Sequence, residues 1–182
     1  MEEANREIRR LIDRFRAPID EGAVVPSIED AVRPFEKETG IRTVFQKSAQ
    51  KVDLPLEVES QIVRIVQKAL ANIREHAKAE AVRVMLQSDA NGGQVLIEDD
   101  GIGFEGAPKE VGTGEHIGLS VMRERAARIN GKLTVESDPS EGTRVRVVFP
   151  IGDARPWLQR AGPEVNGFPF ALALKAISAL SL

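Results

Sequence analysis

The sequence contains no cysteine and only two histidines among its 182 residues. The lack of cysteine excludes disulfide bonds, thiolate zinc sites and thiol nucleophiles, and two histidines are too few for a multi-histidine metal site. The sequence also lacks a run of about 18 apolar residues, which would indicate a membrane-spanning helix. Its charged N-terminus has no apolar centre of the kind found in secretory signals. These absences predict a cytoplasmic protein.

An excess of positive charge is missing as well. The chain has 25 Lys and Arg residues against 28 Asp and Glu residues, which gives a formal net charge of −3. A protein that neutralises nucleic-acid phosphates needs a basic surface, so we expect no direct nucleic-acid partner. The length suffices for one domain with a hydrophobic core and one appendage.

Hydrophobic periodicity divides the chain into three parts. Residues 1–18 are predicted to contain an amphipathic helix that ends at Pro18, and its narrow apolar stripe fits either a partner helix or the surface of its own domain. Residues 27–150 alternate helical and strand patterns and are predicted to form the main domain. Residues 151–182 are interrupted by prolines, and we make no structural prediction for this tail.

The main domain is predicted to have an α+β fold. The periodicity predicts helices over residues 27–38, 55–77 and 119–129, and strands over residues 41–46, 81–87, 94–98, 132–136 and 143–149. Ser27 is the expected N-cap of the first helix. The buried stripe of the long second helix is expected to comprise Ile62, Val66, Ala69 and Ile73. This order of elements is typical of a two-layer α/β sandwich, with helices on one face of a mixed, mostly antiparallel sheet.

An acidic, glycine-containing turn follows the strand at residues 94–98. The glycines of Asp99-Asp-Gly101-Ile-Gly103 allow the backbone to approach a ligand closely, and a carboxylate at a strand end can accept a hydrogen bond from an exocyclic amine such as that of adenine. An acidic turn without a ligand explains the same residues. Thr143, just before the last strand, can present its hydroxyl to a ligand that also touches Asp99, or can simply follow a hairpin turn.

A second glycine-rich segment, residues 112–118, leads into a helix. Its backbone N–H groups and the helix N-terminus suit phosphate oxygens. The segment lacks the P-loop pattern, however, and taken alone it is better interpreted as a surface loop.

On the long helix, Asn72 shares a face with Lys68 and Glu75. An amide oxygen that faces a nucleotide can ligate Mg²⁺, which prefers oxygen ligands and shares its shell with phosphates and water. The alternative is a solvated helix face with a salt bridge. Taken alone, His76 is interpreted as a C-terminal cap or packing residue.

The order and spacing of these four elements resemble the N, G1, G2 and final threonine boxes of the ATP-binding domain of sensor histidine kinases. Their superfamily also contains gyrase B and the ninety-kilodalton heat-shock chaperone. The resemblance covers residues 27–150. Within it, residues 69–77 and 118–126 are similar to the subgroup related to the nitrate/nitrite sensors, whose members signal to LuxR-type response regulators.

The resemblance implies a catalytic domain that transfers the γ-phosphate of Mg-ATP to a histidine. Asn72 would ligate Mg²⁺, Asp99 would bind the adenine amine, and Thr143 would complete the adenine contacts. Asn72 and Lys68 are the predicted catalytic residues. The implied nucleotide-binding residues are Asn72, His76, Asp99, Gly101, Gly103, Gly114, His116, Gly118, Leu119 and Thr143.

Two positions depart from the subgroup's pattern. Lys68 stands where its members have glutamate, and Glu75 stands where they have a basic residue. Lysine cannot accept a proton at neutral pH unless it is strongly desolvated, because its unperturbed pKa is about 10.4. Since the two changes are opposite in sign and share a face, Lys68 can supply the charge that position 75 lacks. The departures leave open a degenerate nucleotide-binding or docking module, and a serine kinase of the same superfamily is a third alternative.

The chain has no recognisable phosphoacceptor box, so the acceptor histidine is expected outside it. The resemblance implies two partners, a dimerisation and phosphoacceptor domain and a LuxR-type response regulator. Residues 1–18 would be the end of the dimerisation helix. The parent kinase is expected to be a homodimer, either cytoplasmic or attached to the inner membrane.

Overall fold

The computed structural model describes residues 24–47, 54–89, 92–104 and 117–151. The amphipathic helix predicted within residues 1–18 lies outside these ranges, as does the tail beyond residue 151. Most of the glycine-rich segment before residue 117 lies outside them too. The division of the chain into three parts therefore stays a prediction.

The described residues form helices and strands in the predicted order. The helices are α1 (Val24–Thr39), α2 (Leu56–Asn72) and α3 (Ile117–Arg128), and α2 continues directly into a π-helical turn (Ile73–Ala77). The strands are β1 (Arg42–Lys47), β2 (Ala81–Ser88), β3 (Gly92–Asp99), β4 (Lys132–Asp138) and β5 (Gly142–Pro150). In these ranges, no helix is both long and apolar enough to cross a membrane.

The five strands form one sheet in the order β1-β2-β3-β5-β4. β1 pairs with β2 in parallel, and the other three pairs of neighbouring strands are antiparallel. One face carries apolar side chains such as Val84, Ile97 and Val145, which are partners across β2, β3 and β5 and belong to the hydrophobic core with the helices. The predicted two-layer α+β fold with a mixed, mostly antiparallel sheet is confirmed.

Helix α2 supplies much of the core. The predicted stripe is confirmed, because Ile62, Val66, Ala69 and Ile73 are all buried. Burial of a valine or isoleucine side chain stabilises the fold by about 1.5–3 kcal/mol. The packed sheet and α2 therefore position the polar residues at their ends.

The opposite face of the sheet is held by an ion-pair network. Glu98, next to Ile97 on β3, is only 1% exposed. Its carboxylate accepts hydrogen bonds from Arg83 on β2 and, at 2.7 Å, from Nε of Arg144 on β5. A buried carboxylate needs such partners, since an uncompensated buried charge is strongly destabilising. The network joins the three central strands next to Asp99.

The predicted start of the first helix is wrong. Ser27 lies inside α1 and not at its N-cap, because the helix already includes Val24. Val24 and Ile28 are one turn apart and both completely buried, so their packing favours helix before Ser27. Pro26 is compatible with this, since the first residues of a helix need no intrahelical acceptor for their N–H groups.

Candidate functional site

Three polar side chains lie side by side across the sheet where β3 ends. Asp99 on β3 is the cross-strand partner of Thr143 on β5, and Thr143 is the partner of Ser137 on β4. Residues directly opposite in antiparallel strands project from the same face. All three side chains therefore lie on the face that the helices cover, two residues beyond the core positions Ile97 and Val145.

Asp99 is a buried carboxylate with backbone donors. The residue is 3% exposed, its Oδ1 accepts a hydrogen bond from the N–H of Gly101 at 2.9 Å, and the N–H of Thr143 also donates to it. Burial raises the pKa of Asp99 to about 6, and the charge of Asp100 adds to this effect, while the two backbone donors oppose it. At neutral pH the group is mostly ionised and offers only acceptors.

The loop after Asp99 is fixed to the end of the long helix. The N–H of Ile102 donates to the carbonyl of Ala77 at 2.8 Å, and a β-carbon on Gly101 would overlap that same carbonyl. Asp100 attaches the loop to the start of β2, because its Oδ1 accepts hydrogen bonds from the N–H groups of Glu80 and Ala81. Asp99 thus lies beside the end of the helix that carries Asn72. Asn72 precedes Ala77 by five residues.

The loop is also fixed to the β4–β5 hairpin. Gly103 has φ +59°, and a β-carbon there would overlap the carbonyl of Asp138. The N–H of Ser140 donates to the carbonyl of Ile102 at 2.7 Å. Gly142 has φ +86° and lies against the backbone of Asp99. Gly101 and Gly103 are predicted to allow the backbone to approach a ligand closely, and in the structure both make close backbone contacts within the protein. Their contacts with a nucleotide stay predictions.

The first turn of α3 packs on the face of α2 that carries Lys68 and Asn72. A β-carbon on Gly118 would lie 2.8 Å from Cε of Lys68 and 3.0 Å from Oδ1 of Asn72. Glycine therefore allows α3 to begin beside both side chains. Leu119 is buried in the hydrophobic core, so a nucleotide contact from this residue would come from its backbone. The two predicted catalytic residues are brought together at the start of α3.

The π-helical turn displays its charged side chains to solvent. Oε1 of Glu75 lies 3.5 Å from Nη2 of Arg74, and Oε2 of Glu75 lies 3.7 Å from Nε2 of His76. The side chain of His76 is 60% exposed, so its interpretation as a packing residue is wrong. The guanidinium group of Arg74 lies beside Glu75, which reduces the repulsion that the charge of Glu75 would exert on phosphates.

The donor set suits a hard cation that shares its ligands with phosphates. Asn72 offers a neutral amide oxygen, and in the described ranges no three Asp, Glu or His side chains gather into a group that could hold a metal by themselves. A single protein oxygen is compatible with Mg²⁺, which usually keeps several waters and binds substrate phosphates. Gly114 and His116 lie outside the described residues, so their predicted roles stay predictions.

Ser137 and Asp100 are the residues that sequence reasoning missed. Ser137 connects the loop to Thr143 through its hydroxyl, and Asp100 anchors the loop to the start of β2. The position of Ser137 could have been predicted from the turn at residues 140–142, because a hairpin that closes at this turn pairs residue 137 with residue 143. Asp100 carries no sequence signal that separates it from Asp99.

Comparison with protein families identifies the class of this domain. The profile described as histidine kinase-, DNA gyrase B-, and HSP90-like ATPase matches residues 57–153, more than half of the chain. The chain therefore belongs to this ATPase family. The match covers α2, the Asp99 loop, α3 and the β4–β5 hairpin, so it includes every described residue of the site.

Curated relatives narrow the similarity to sensor kinases. The chain is 35% identical over 146 residues to the signal transduction histidine-protein kinase/phosphatase DegS of Brevibacillus brevis, covering 80% of this chain and 37% of the relative. It is 33% identical over 154 residues to the oxygen sensor histidine kinase NreB of Staphylococcus carnosus, covering 79% and 43%. A third relative is the nitrate/nitrite sensor protein NarQ of Escherichia coli, with 28% identity over 150 residues, covering 82% and 26%. The chain spans about two-fifths of the length of the first two.

Solved structures show the same fold. The catalytic domain of histidine kinase ThkA matches with a TM-score of 0.56 at 16% identity, covering 69% of this chain and 92% of that one. The histidine kinase domain from the Erythrobacter litoralis EL346 blue-light activated kinase matches with a TM-score of 0.53 at 22% identity, covering 72% and 63%. The sheet and helices of this chain thus share the fold of these two kinase domains.

Proposed function

We propose that this domain binds Mg-ATP between α2, the Asp99 loop and the β4–β5 hairpin, and that it transfers the γ-phosphate to a histidine outside the chain. The observation that carries this proposal is the arrangement of the site. Gly101 packs on the backbone of Ala77, and Gly118 packs on the side chain of Asn72. The loop after Asp99 and the start of α3 therefore both meet the C-terminal end of the same helix, where Asn72 lies.

The adenine end would be held by Asp99 and Thr143. The ionised carboxylate of Asp99 accepts hydrogen bonds in a buried setting, where an unpaired donor or acceptor costs about 1–3 kcal/mol. An exocyclic amine supplies the donor that this carboxylate needs beyond its two backbone partners. The base therefore binds with its 6-amino group toward β3 and β5.

The triphosphate end would be held by the face of α2 near α3. Asn72 would ligate Mg²⁺ through its amide oxygen, and the ion would neutralise the charge of the phosphate oxygens. Lys68 has its Cε next to Gly118, where its ammonium group can reach a phosphate. Phosphoryl transfer depends chiefly on positioning and charge neutralisation, and both residues serve these purposes.

The names of the relatives support a proposal about the partners. DegS, NreB and NarQ are named as histidine kinases or sensors, and the chain matches only part of each. In such a kinase, the part that this chain does not match would provide the dimerisation helices and the acceptor histidine. The parent kinase would be a homodimer. A LuxR-type response regulator would then receive the phosphoryl group.

Two measurements on the full chain test this function. Isothermal titration with Mg-ATP is expected to show binding, and incubation with a dimerisation and phosphoacceptor domain of NreB is expected to yield acid-labile phosphohistidine. The matched control is the same acceptor domain with its acceptor histidine replaced by glutamine. Absence of ATP binding would contradict the nucleotide site, whereas binding without phosphohistidine on this or any related acceptor domain would contradict the transferase activity.

A further inference from the structure

The hydroxyl group of Ser137 is at the centre of three contacts. It receives a hydrogen bond from the N–H of Phe104 at 2.9 Å, donates to the carbonyl of Gly142 at 2.9 Å, and lies 3.0 Å from Oγ1 of Thr143. Phe104 belongs to the loop after Asp99, and the other two residues begin β5. One hydroxyl group thus joins the loop to the strand that carries Thr143.

The number of protons determines the direction of the third hydrogen bond. A serine hydroxyl has one proton to donate and two lone pairs to accept with. Ser137 donates its proton to the Gly142 carbonyl, which can only accept, and one of its lone pairs receives the Phe104 N–H. The hydrogen bond to Thr143 can then form only if Thr143 is the donor. Since the Thr143 proton points to Ser137, the Thr143 oxygen presents lone pairs alone to a ligand.

We propose that Ser137 is a positioning residue that makes Thr143 a hydrogen-bond acceptor, so that Thr143 and Asp99 together select a purine with a 6-amino group against one with a 6-oxo group. This inference rests on the proposed function, because it concerns the base of the same nucleotide. Asp99 and Thr143 are cross-strand partners on the helix-covered face, so their acceptors address the same edge of a ligand.

The chemistry of the two purines differs at this edge. A 6-aminopurine offers two N–H donors at position 6, which match two neighbouring acceptors. A 6-oxopurine offers a carbonyl oxygen at position 6, which faces the Asp99 carboxylate and the Thr143 lone pairs without a proton between them. The single N–H donor that it keeps on this edge lies at N1, one atom away from that position. Sites that hydrogen-bond a particular donor reject analogues without it, and we expect a preference on the order of 100-fold for ATP over inosine triphosphate (ITP).

Removal of the Ser137 hydroxyl releases the Thr143 proton. In Ser137→Ala, Thr143 can rotate its hydroxyl and donate to the 6-oxo group of ITP. The ratio of the ATP affinity to the ITP affinity is therefore expected to fall by about tenfold. Ser137→Thr keeps a hydroxyl at this position and is expected to keep the ratio. Should Ser137→Ala not fold, Ser137→Cys serves instead, because a thiol is a weak acceptor for the Thr143 proton and predicts the same fall.

The test is a titration of ATP and ITP, both with Mg²⁺, into the full chain and these variants, repeated in a Thr143→Val background. In that background Ser137→Ala is expected to leave the ratio unchanged, since no hydroxyl remains to be oriented. An unchanged ratio in Ser137→Ala, or an equal fall with and without Thr143, would overturn the role of Ser137 while the ATP site stands. A wild-type chain that binds neither nucleotide would overturn the proposed function and this inference together.

Discussion

Asp99 and Thr143 face each other across β3 and β5, and the backbone N–H of Thr143 donates to the Asp99 carboxylate. The register of β4 with β5 places the Thr143 hydroxyl beside that of Ser137. A backbone pairing thus sets the position of every side chain proposed to contact the base. The carboxylate is held in a buried place at a cost in stability, and both its affinity for ligand and its effect on folding depend on pH.

The pKa of Asp99 predicts how base recognition depends on pH. The ionised carboxylate of Asp99 offers acceptors alone, whereas the protonated form also carries an O–H that can donate to the 6-oxo group of ITP. Burial raises the pKa of Asp99 to about 6. We expect the ratio of ATP affinity to ITP affinity to be constant above pH 7 or so, and to fall by up to about tenfold per pH unit below pH 6 or so. Titration of both nucleotides at several pH values measures this ratio, because their triphosphates are identical.

An exposed acid nearby provides the control for this pH dependence. Asp138→Asn, at the end of β4, is expected to retain the wild-type profile. A ratio that does not change between pH 5 and pH 8 in the wild-type chain would mean that Asp99 does not recognise the base.

Asp99 is also expected to reduce the stability of the free domain at neutral pH. Its pKa is raised from 3.8 to about 6 in the fold, so the folded state binds more protons than the unfolded state between these values. Stability therefore falls as pH rises through this window, by about 3 kcal/mol in total. The free energy of unfolding of Asp99→Asn and of the wild type is to be measured in urea from pH 3 to pH 8 or so. As pH rises, the difference between the two should change by this amount in favour of Asp99→Asn. Parallel curves would contradict the raised pKa.

Gly101 is expected to tolerate no side chain. A β-carbon would overlap the Ala77 carbonyl, which already accepts from Ile102. Gly101→Ala should lower the free energy of unfolding by about 2–4 kcal/mol and weaken ATP binding, because the loop must move. Gly40→Ala is the matched control, since Gly40 has φ +71° but no atom within 4 Å of the added carbon. It should cost about 1 kcal/mol and leave ATP binding unchanged. Equal effects of the two substitutions on binding would contradict the placement of the loop.

Lys68 and Asn72 are expected to act on the phosphate end alone. Lys68→Met should weaken ATP binding by about 10-fold to 100-fold, the usual range for loss of a charged hydrogen bond, and should weaken adenosine binding little. Asn72→Ala should remove most of the gain in ATP affinity that Mg²⁺ provides. Lys37→Met, on an exposed part of α1, is the control and should change neither affinity. An equal loss for adenosine and ATP in Lys68→Met would place Lys68 away from the phosphates.

The sequence was sufficient to predict the elements whose signals are local. The apolar stripe of α2, the antiparallel pairs β2–β3 and β4–β5, and the acidic turn at Asp99 are each encoded within a few neighbouring residues. The fold could be predicted from their order. The early start of α1 was not predicted, because it depends on the burial of Val24 by distant elements.

The parts of the site that depend on contacts between distant segments were also beyond the sequence. The π-helical turn at Ile73–Ala77 continues the apolar spacing of α2 and gives no separate signal. Asp100 and Asp99 are adjacent carboxylates, yet one caps the start of β2 and the other faces the helices. Periodicity alone cannot assign these different roles, since the assignment requires the pairing of β3 with both of its neighbours.

The most direct test of the central claim is NMR observation of the Asp99 carboxyl carbon in the wild-type chain, labelled with ¹³C and assigned with Asp99→Asn. In the free domain the signal should titrate with a pKa of about 6. Addition of ATP should shift the signal and lower this pKa, because a bound amine favours the ionised form, and ITP should do neither at concentrations where ATP saturates the site. A signal that ATP leaves unchanged at saturation would contradict the placement of the base at Asp99.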